Sequence, residues 1–93
     1  SYLGNFTISD TVFRQIIDYV AKKDKSIYSV IRTRIDNQPE GPYVYLEVIV
    51  EYGSNVREVV EEFKNKVIKE LEKLTTMRVR TIKIVIKDIH IEK

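Results

Sequence analysis

Residues 43–52 alternate strictly: Val44, Leu46, Val48 and Val50 point one way, and Tyr43, Tyr45, Glu47, Ile49 and Glu51 the other. A period of two is the signature of a β-strand, whose successive side chains leave on opposite faces. One face is wholly aliphatic and the other mixed, so this strand needs cover on one side and tolerates water on the other. The next segment supplies that cover. After the turn Gly53-Ser54-Asn55, the residues Val56, Val59, Val60, Phe63, Val67, Leu71 and Leu74 form an apolar stripe over about five helical turns. Asn55 followed three residues later by Glu58 reads as a capping box. Acids lead (Glu58, Glu61, Glu62) and bases follow (Lys64, Lys66, Lys69, Lys73), which complements the helix dipole. Glu62 and Lys66 have the i, i+4 spacing of a helical ion pair.

Other segments follow the same logic. Asn5-Phe6-Thr7-Ile8 reads as a brief strand. Ser9-Asp10 offers a cap for a helix carrying Val12, Phe13, Ile16, Ile17 and Val20 on one face, which ends in Lys22-Lys23-Asp24-Lys25. Residues 27–36 read as a strand with Ile31, Thr33 and Ile35 on one face and Arg32 and Arg34 on the other. Pro39, Gly41 and Pro42 break the chain over residues 37–42 and predict a turn between two antiparallel strands. Residues 77–91 read as a final strand in which Ile82, Ile84 and Ile86 share one parity. Ile89 and Ile91 take the other, so a bulge or strand end is expected at Asp88.

The predicted order is β-α-β-β-α-β in one domain over residues 1–93. The fold class is α+β, a split-βαβ sandwich with an antiparallel or mixed sheet and both helices on one face. It is ferredoxin-like, or αββαβ with an N-terminal arm if the first strand is too short to pair. A chain of 93 residues buries roughly two-thirds of its unfolded surface, enough for one core without covalent staples.

Composition and spacing reveal no biochemical activity. With no Cys and a single His, His90, the chain has neither a thiol nucleophile nor the residues for a Cys- or His-clustered metal site. The three glycines, Gly4, Gly41 and Gly53, build no phosphate-binding loop. Glu47 and Glu51 stand about 13 Å apart on one strand, wider than a glycosidase carboxylate pair. No catalytic residue, metal or cofactor is therefore assigned. A net charge of +2 is too small for the field of a dedicated nucleic-acid binder. The longest fully apolar run, Val48-Ile49-Val50, is far short of the roughly 20 residues that cross a bilayer. The sequence shows no signal-peptide pattern.

One feature demands a role. If the valine row packs under the helices, Tyr43, Tyr45 and Ile49 are left on the opposite side as a candidate interaction face. Tyr favours interfaces for its rigid, amphipathic area. The alternative is an RNA-binding module that stacks bases on Tyr43 and Tyr45, with Arg32 and Arg34 on the neighbouring strand meeting phosphates. Glu47 and Glu51 on the same face oppose it, and residues 41–46 lack the leading basic residue and second glycine of such modules.

The chain resembles the alkaline shock protein family, the envelope stress response proteins of Gram-positive and related bacteria. The motif that carries this most strongly is Val50-Glu51-Tyr52-Gly53, leading through Ser54-Asn55-Val56-Arg57-Glu58-Val59 into a long helix. Phe6-Thr7-Ile8-Ser9-Asp10-Thr11-Val12 is similar to the family's opening, and Val79 to Ile89 with His90 to its closing strand. The first helix departs from the family pattern, with Gln15-Ile16-Ile17-Asp18-Tyr19-Val20 where small residues are usual. The resemblance implies a non-enzymatic, cofactor-free, cytoplasmic protein that forms homo-oligomers or binds a membrane-anchor homologue at the inner face of the cell membrane. Membrane-anchor members carry a similar domain, so the soluble part of such an anchor is one reading. In the motif Glu51-Tyr52-Gly53 the implied roles are structural: Gly53 makes the turn and Tyr52 packs near the second helix.

Overall fold

A computed structural model describes residues 2–3 and 6–92. Helix α1 spans Asp10–Lys23, strand β3 Ile27–Gln38, strand β4 Gly41–Glu51, helix α2 Val56–Thr75 and strand β5 Thr81–His90; two short strands, β1 (Tyr2–Leu3) and β2 (Phe6–Thr7), precede them. The main sheet has the order β3-β4-β5, with β4 antiparallel to β3 and parallel to β5. A parallel neighbour cannot be reached by a hairpin, and α2 is the crossover that reaches it.

Both helices cover one face of this sheet. Phe13, Ile17, Phe63, Val67 and Leu71 are fully buried with Leu46 and Val48 of the valine row, and Val44 and Val50 are almost so. The α+β class and the one-sided helix layer follow the sequence reading, and the sheet itself is of the αββαβ kind. Of the two expected forms it is the second, because the first predicted strand does not join the main sheet. Asn5 lies outside the described residues, and Phe6–Thr7 pairs antiparallel with Tyr2–Leu3, apart from the main sheet. A strand of two residues forms too little ladder to hold a place beside the long edge strands.

Two boundaries and one position of the α2 stripe also differ, each for a local reason. The hairpin break narrows to Pro39 and Glu40, because Gln38 pairs with Gly41 and Asn37 with Pro42. Pro42 is tolerated in a central strand because the donor it lacks would point away from β3, towards the segment before β5; its carbonyl, on that same side, accepts from the Arg80 N–H at 2.8 Å. Residues 77–80, expected as strand, serve the end of α2 instead. Met77 N–H donates to Thr75 Oγ1 (3.2 Å) and Val79 N–H to Glu72 Oε2 (3.1 Å). Leu74, expected in the stripe, is 57% exposed, while Thr75 turns inward and donates its hydroxyl to the Leu71 carbonyl at 2.6 Å.

Register shifts in β3 leave Tyr28 and Ile31 as extra residues. Val30 therefore faces Val48, and Ile31 is 49% exposed rather than inward. In β5, Ile86 faces Val48 and Asp88 faces Ile49, so the expected phase slip at Asp88 is a bulge with Lys87 as the extra residue.

Asp24 ties the layers together. It is 8% exposed, and a carboxylate that deep needs matched partners. Oδ1 accepts the Ser26 N–H at 3.0 Å, closing the turn from α1 into β3, and Oδ2 lies 3.4 Å from the ammonium of Lys66 on α2. Lys66, spaced to meet Glu62, thus reaches across to the other helix. The Asn55 cap is as expected, its side chain accepting the Glu58 N–H at 3.1 Å.

Candidate interaction face

The sheet face opposite the helices carries Tyr43, Tyr45, Glu47, Ile49 and Glu51 in one row along β4, all half-buried. Register fixes their neighbours. On the β3 side Asp36 stands beside Tyr43, Arg34 beside Tyr45, Arg32 beside Glu47 and Ser29 beside Ile49. On the β5 side the partners are Thr81, Lys83, Val85, Asp88 and His90 in the same sense. Flanking strands and long neighbouring side chains half-cover the row, and no helix does.

Two side-chain clusters order this face. At one end the Tyr45 hydroxyl donates to Glu47 Oε2 at 2.7 Å, and the Arg34 guanidinium lies over the Tyr45 ring, 5.2 Å from its centroid. Two residues apart on one strand face, Tyr45 and Glu47 are natural partners, and Arg34 meets the ring through its cross-strand pairing. At the other end His90 Nδ1 and Glu51 Oε1 are 2.7 Å apart, and the His90 ring stacks on Tyr28 at 3.8 Å between centroids, 13° from parallel. This second cluster draws on three strands. The sequence pattern placed His90 on a strand surface but offered no partner for it. Only the parallel register of β5, shifted by its bulge, brings it beside Glu51. A shallow depression of about 480 Å³ lies next to Tyr43 and Tyr45, edged by Arg34, Asp36, Thr81 and Lys83.

The hydrogen bond to Glu47, helped by partial burial and the nearby carboxylate charge, pushes the Tyr45 phenol above its ordinary value of 10.0. The folded state therefore holds this proton more tightly than the unfolded chain. Its contribution to stability is complete below about pH 10 and is lost as pH rises through the folded value. Ultraviolet titration should show one tyrosine ionising late, and Tyr45→Phe should remove that late phase. If the late phase survives the substitution, Tyr45 is not its source.

The motif Glu51-Tyr52-Gly53 ends β4. Glu51 belongs to the open face, and the Tyr52 N–H donates to the His90 carbonyl at 2.9 Å. Gly53 takes a φ of +113° in the turn, a conformation that L side chains rarely adopt. The Tyr52 ring is 70% exposed, edging a shallow depression with Val56 at the start of α2, so its packing against that helix is slight.

The model of the alkaline shock protein family, described as having a cell envelope-related function, matches residues 31–91. The chain belongs to the alkaline shock protein family. This is the family that the sequence resembles, and the matched span holds the hairpin, α2 and β5 together with the whole row from Tyr43 to Glu51. The family-like opening at Phe6–Val12 and helix α1 lie before it. No curated protein matches the sequence. Among solved structures, the chain is similar to the MamM CTD. A copper form gives 13% identity, covering 86% of this chain and 98% of that one, with a TM-score of 0.70. A zinc form gives 14%, 88% of each and 0.71, and a nickel form 14%, 84% and 96%, and 0.69. At such identities the likeness is one of fold. Among the described residues of this alkaline shock family chain, no group of three or more His, Asp or Glu stands close enough to hold a metal ion. No helix among them is long and apolar enough to cross a membrane.

Proposed function

We propose that this alkaline shock family domain is a non-enzymatic association module in cell-envelope stress homeostasis. It binds copies of itself or a membrane-anchor homologue, at the inner face of the cell membrane, through the helix-free sheet face with Tyr43, Tyr45 and Ile49 at its centre. The observation that carries this reading is the tyrosine-bearing row itself, half-buried but covered by no helix, with Tyr45, Glu47 and Glu51 already held by side-chain contacts within the chain. Three large apolar-bodied side chains in one half-buried row that no helix covers make a contact patch more than a hydrated surface. Glu47 and Glu51 on the same row would repel phosphates, which favours a protein partner over RNA.

Light scattering across a concentration series tests it. The wild-type mass should rise from the 11.0 kDa of one chain towards multiples of it, and Tyr45→Glu should hold the mass at one chain. A wild-type protein that stays at one chain up to near-millimolar concentration would exclude self-association, though not the anchor as partner.

A further inference from the structure

The charges on the open face are sorted along the strands. Towards the hairpin end, the Tyr45 row carries Arg34 and Lys83, with Asp36 beyond them in the Tyr43 row; towards the other end, the Ile49 row carries Asp88, and Glu51 follows with His90 beside it. Arg32, Glu47 and Val85 form the row between them. The Tyr45 row is basic and the Ile49 row acidic, so these two rows are complementary to their own image turned end for end.

Two copies can meet face to face about a two-fold axis in two simple ways. With strands running in the same direction, β3 of one copy lies over β5 of the other and equal rows meet. Arg34 then lands on Lys83, and Glu51 on its own image. With strands antiparallel about the Glu47 row, β5 lies over β5. Lys83 then meets Asp88 twice, Tyr45 meets Ile49 and the Tyr43 hydroxyl meets Glu51. Glu47 meets its image in both arrangements, with Arg32 beside it as counter-charge. Like charges brought together repel and opposite charges attract, so the pattern selects the antiparallel arrangement.

Resting on the association reading above, we propose that the occupant of the open face is a second copy of this chain, packed sheet on sheet with antiparallel strands and held in register by two reciprocal Lys83–Asp88 pairs. Three strands about 4.8 Å apart and five rows about 6.6 Å apart give a patch of a few hundred Å² per copy. That is below the size of stable specific interfaces and predicts a weak, transient dimer. Lys83 and Asp88 are both exposed in the single chain, and neither belongs to the Tyr45–Glu47 or Glu51–His90 cluster.

The test is charge reversal at low ionic strength, where such pairs are least screened. Dimerisation of Lys83→Glu alone and of Asp88→Lys alone, followed by sedimentation equilibrium, should each weaken by about tenfold or more, since each places like charges together twice. An equimolar mixture of the two variants should recover dimers at wild-type strength, because Glu at 83 in one chain then meets Lys at 88 in the other, and Lys83 meets Asp88 at the second pair. Native mass spectrometry should show that the recovered species is the mixed dimer. Recovery on mixing also excludes misfolding as the cause of the single-variant loss. A mixture that stays monomeric, while the wild type dimerises and Tyr45→Glu abolishes dimers, overturns the antiparallel pairing and leaves the association reading standing. A wild type that never dimerises overturns both the pairing and self-association.

Discussion

Phe63→Ala should bring the domain close to unfolding at physiological temperature. Phe63 is fully buried in the core cluster that holds the valine row and the inward side chains of α1, in the middle of the α2 stripe. Truncating such a ring removes its transfer free energy and leaves a cavity that the packed neighbours fill only partly, at about 3–5 kcal/mol. Domains of this size hold roughly 5–14 kcal/mol in all, so the loss is a large fraction of the whole. Thermal unfolding followed by circular dichroism should show Tm lower by about 15–30 °C. A shift of only a few degrees would mean that α2 re-seats without the ring.

Gly41→Ala should cost nearly as much for a different reason. Gly41 opens β4 with a φ of +127°, and a Cβ there would collide with the main-chain oxygen of Arg78. Backbone strain of this kind costs about 1–3 kcal/mol, and the collision adds to it because main chain cannot swing aside as a side chain can. Denaturant unfolding should give a clearly lower midpoint with an unchanged slope. An unchanged midpoint would show that the hairpin and the segment before β5 separate freely. This close approach also explains why residues 77–80 stay outside the ladder: they pass under the hairpin end before β5 begins.

Much of this architecture is legible in the residues. The alternation from Tyr43 to Glu51 assigns each side chain to a face without reference to any other element, because strand period and aliphatic row agree. The cap at Asn55 and the stripe through Phe63, Val67 and Leu71 are equally local. What escapes is what depends on neighbours. The extra residues at Tyr28 and Ile31 follow from how β3 must bend against β4, and no property of Ile31 itself predicts its exposure. Thr75 replaces Leu74 inside because its hydroxyl can be satisfied by the Leu71 carbonyl at that turn of the helix. The candidate face divides the same way. Alternation fixes the side on which Tyr43, Tyr45 and Ile49 lie, whereas Arg34 over Tyr45 and His90 between Glu51 and Tyr28 require the cross-strand register. The family match over residues 31–91 covers the part of the chain whose pattern was most regular.

The two side-chain clusters on the sheet have a thermodynamic consequence. Freezing a rotamer-rich side chain on association opposes binding by about 0.5–1.5 kcal/mol. Tyr45, Glu47 and Arg34 are restrained by one another in the single chain, as are Tyr28, Glu51 and His90. A visitor therefore meets two clusters whose rotational freedom has already been surrendered during folding. A small patch can in this way hold a companion that a floppier one of equal size would release.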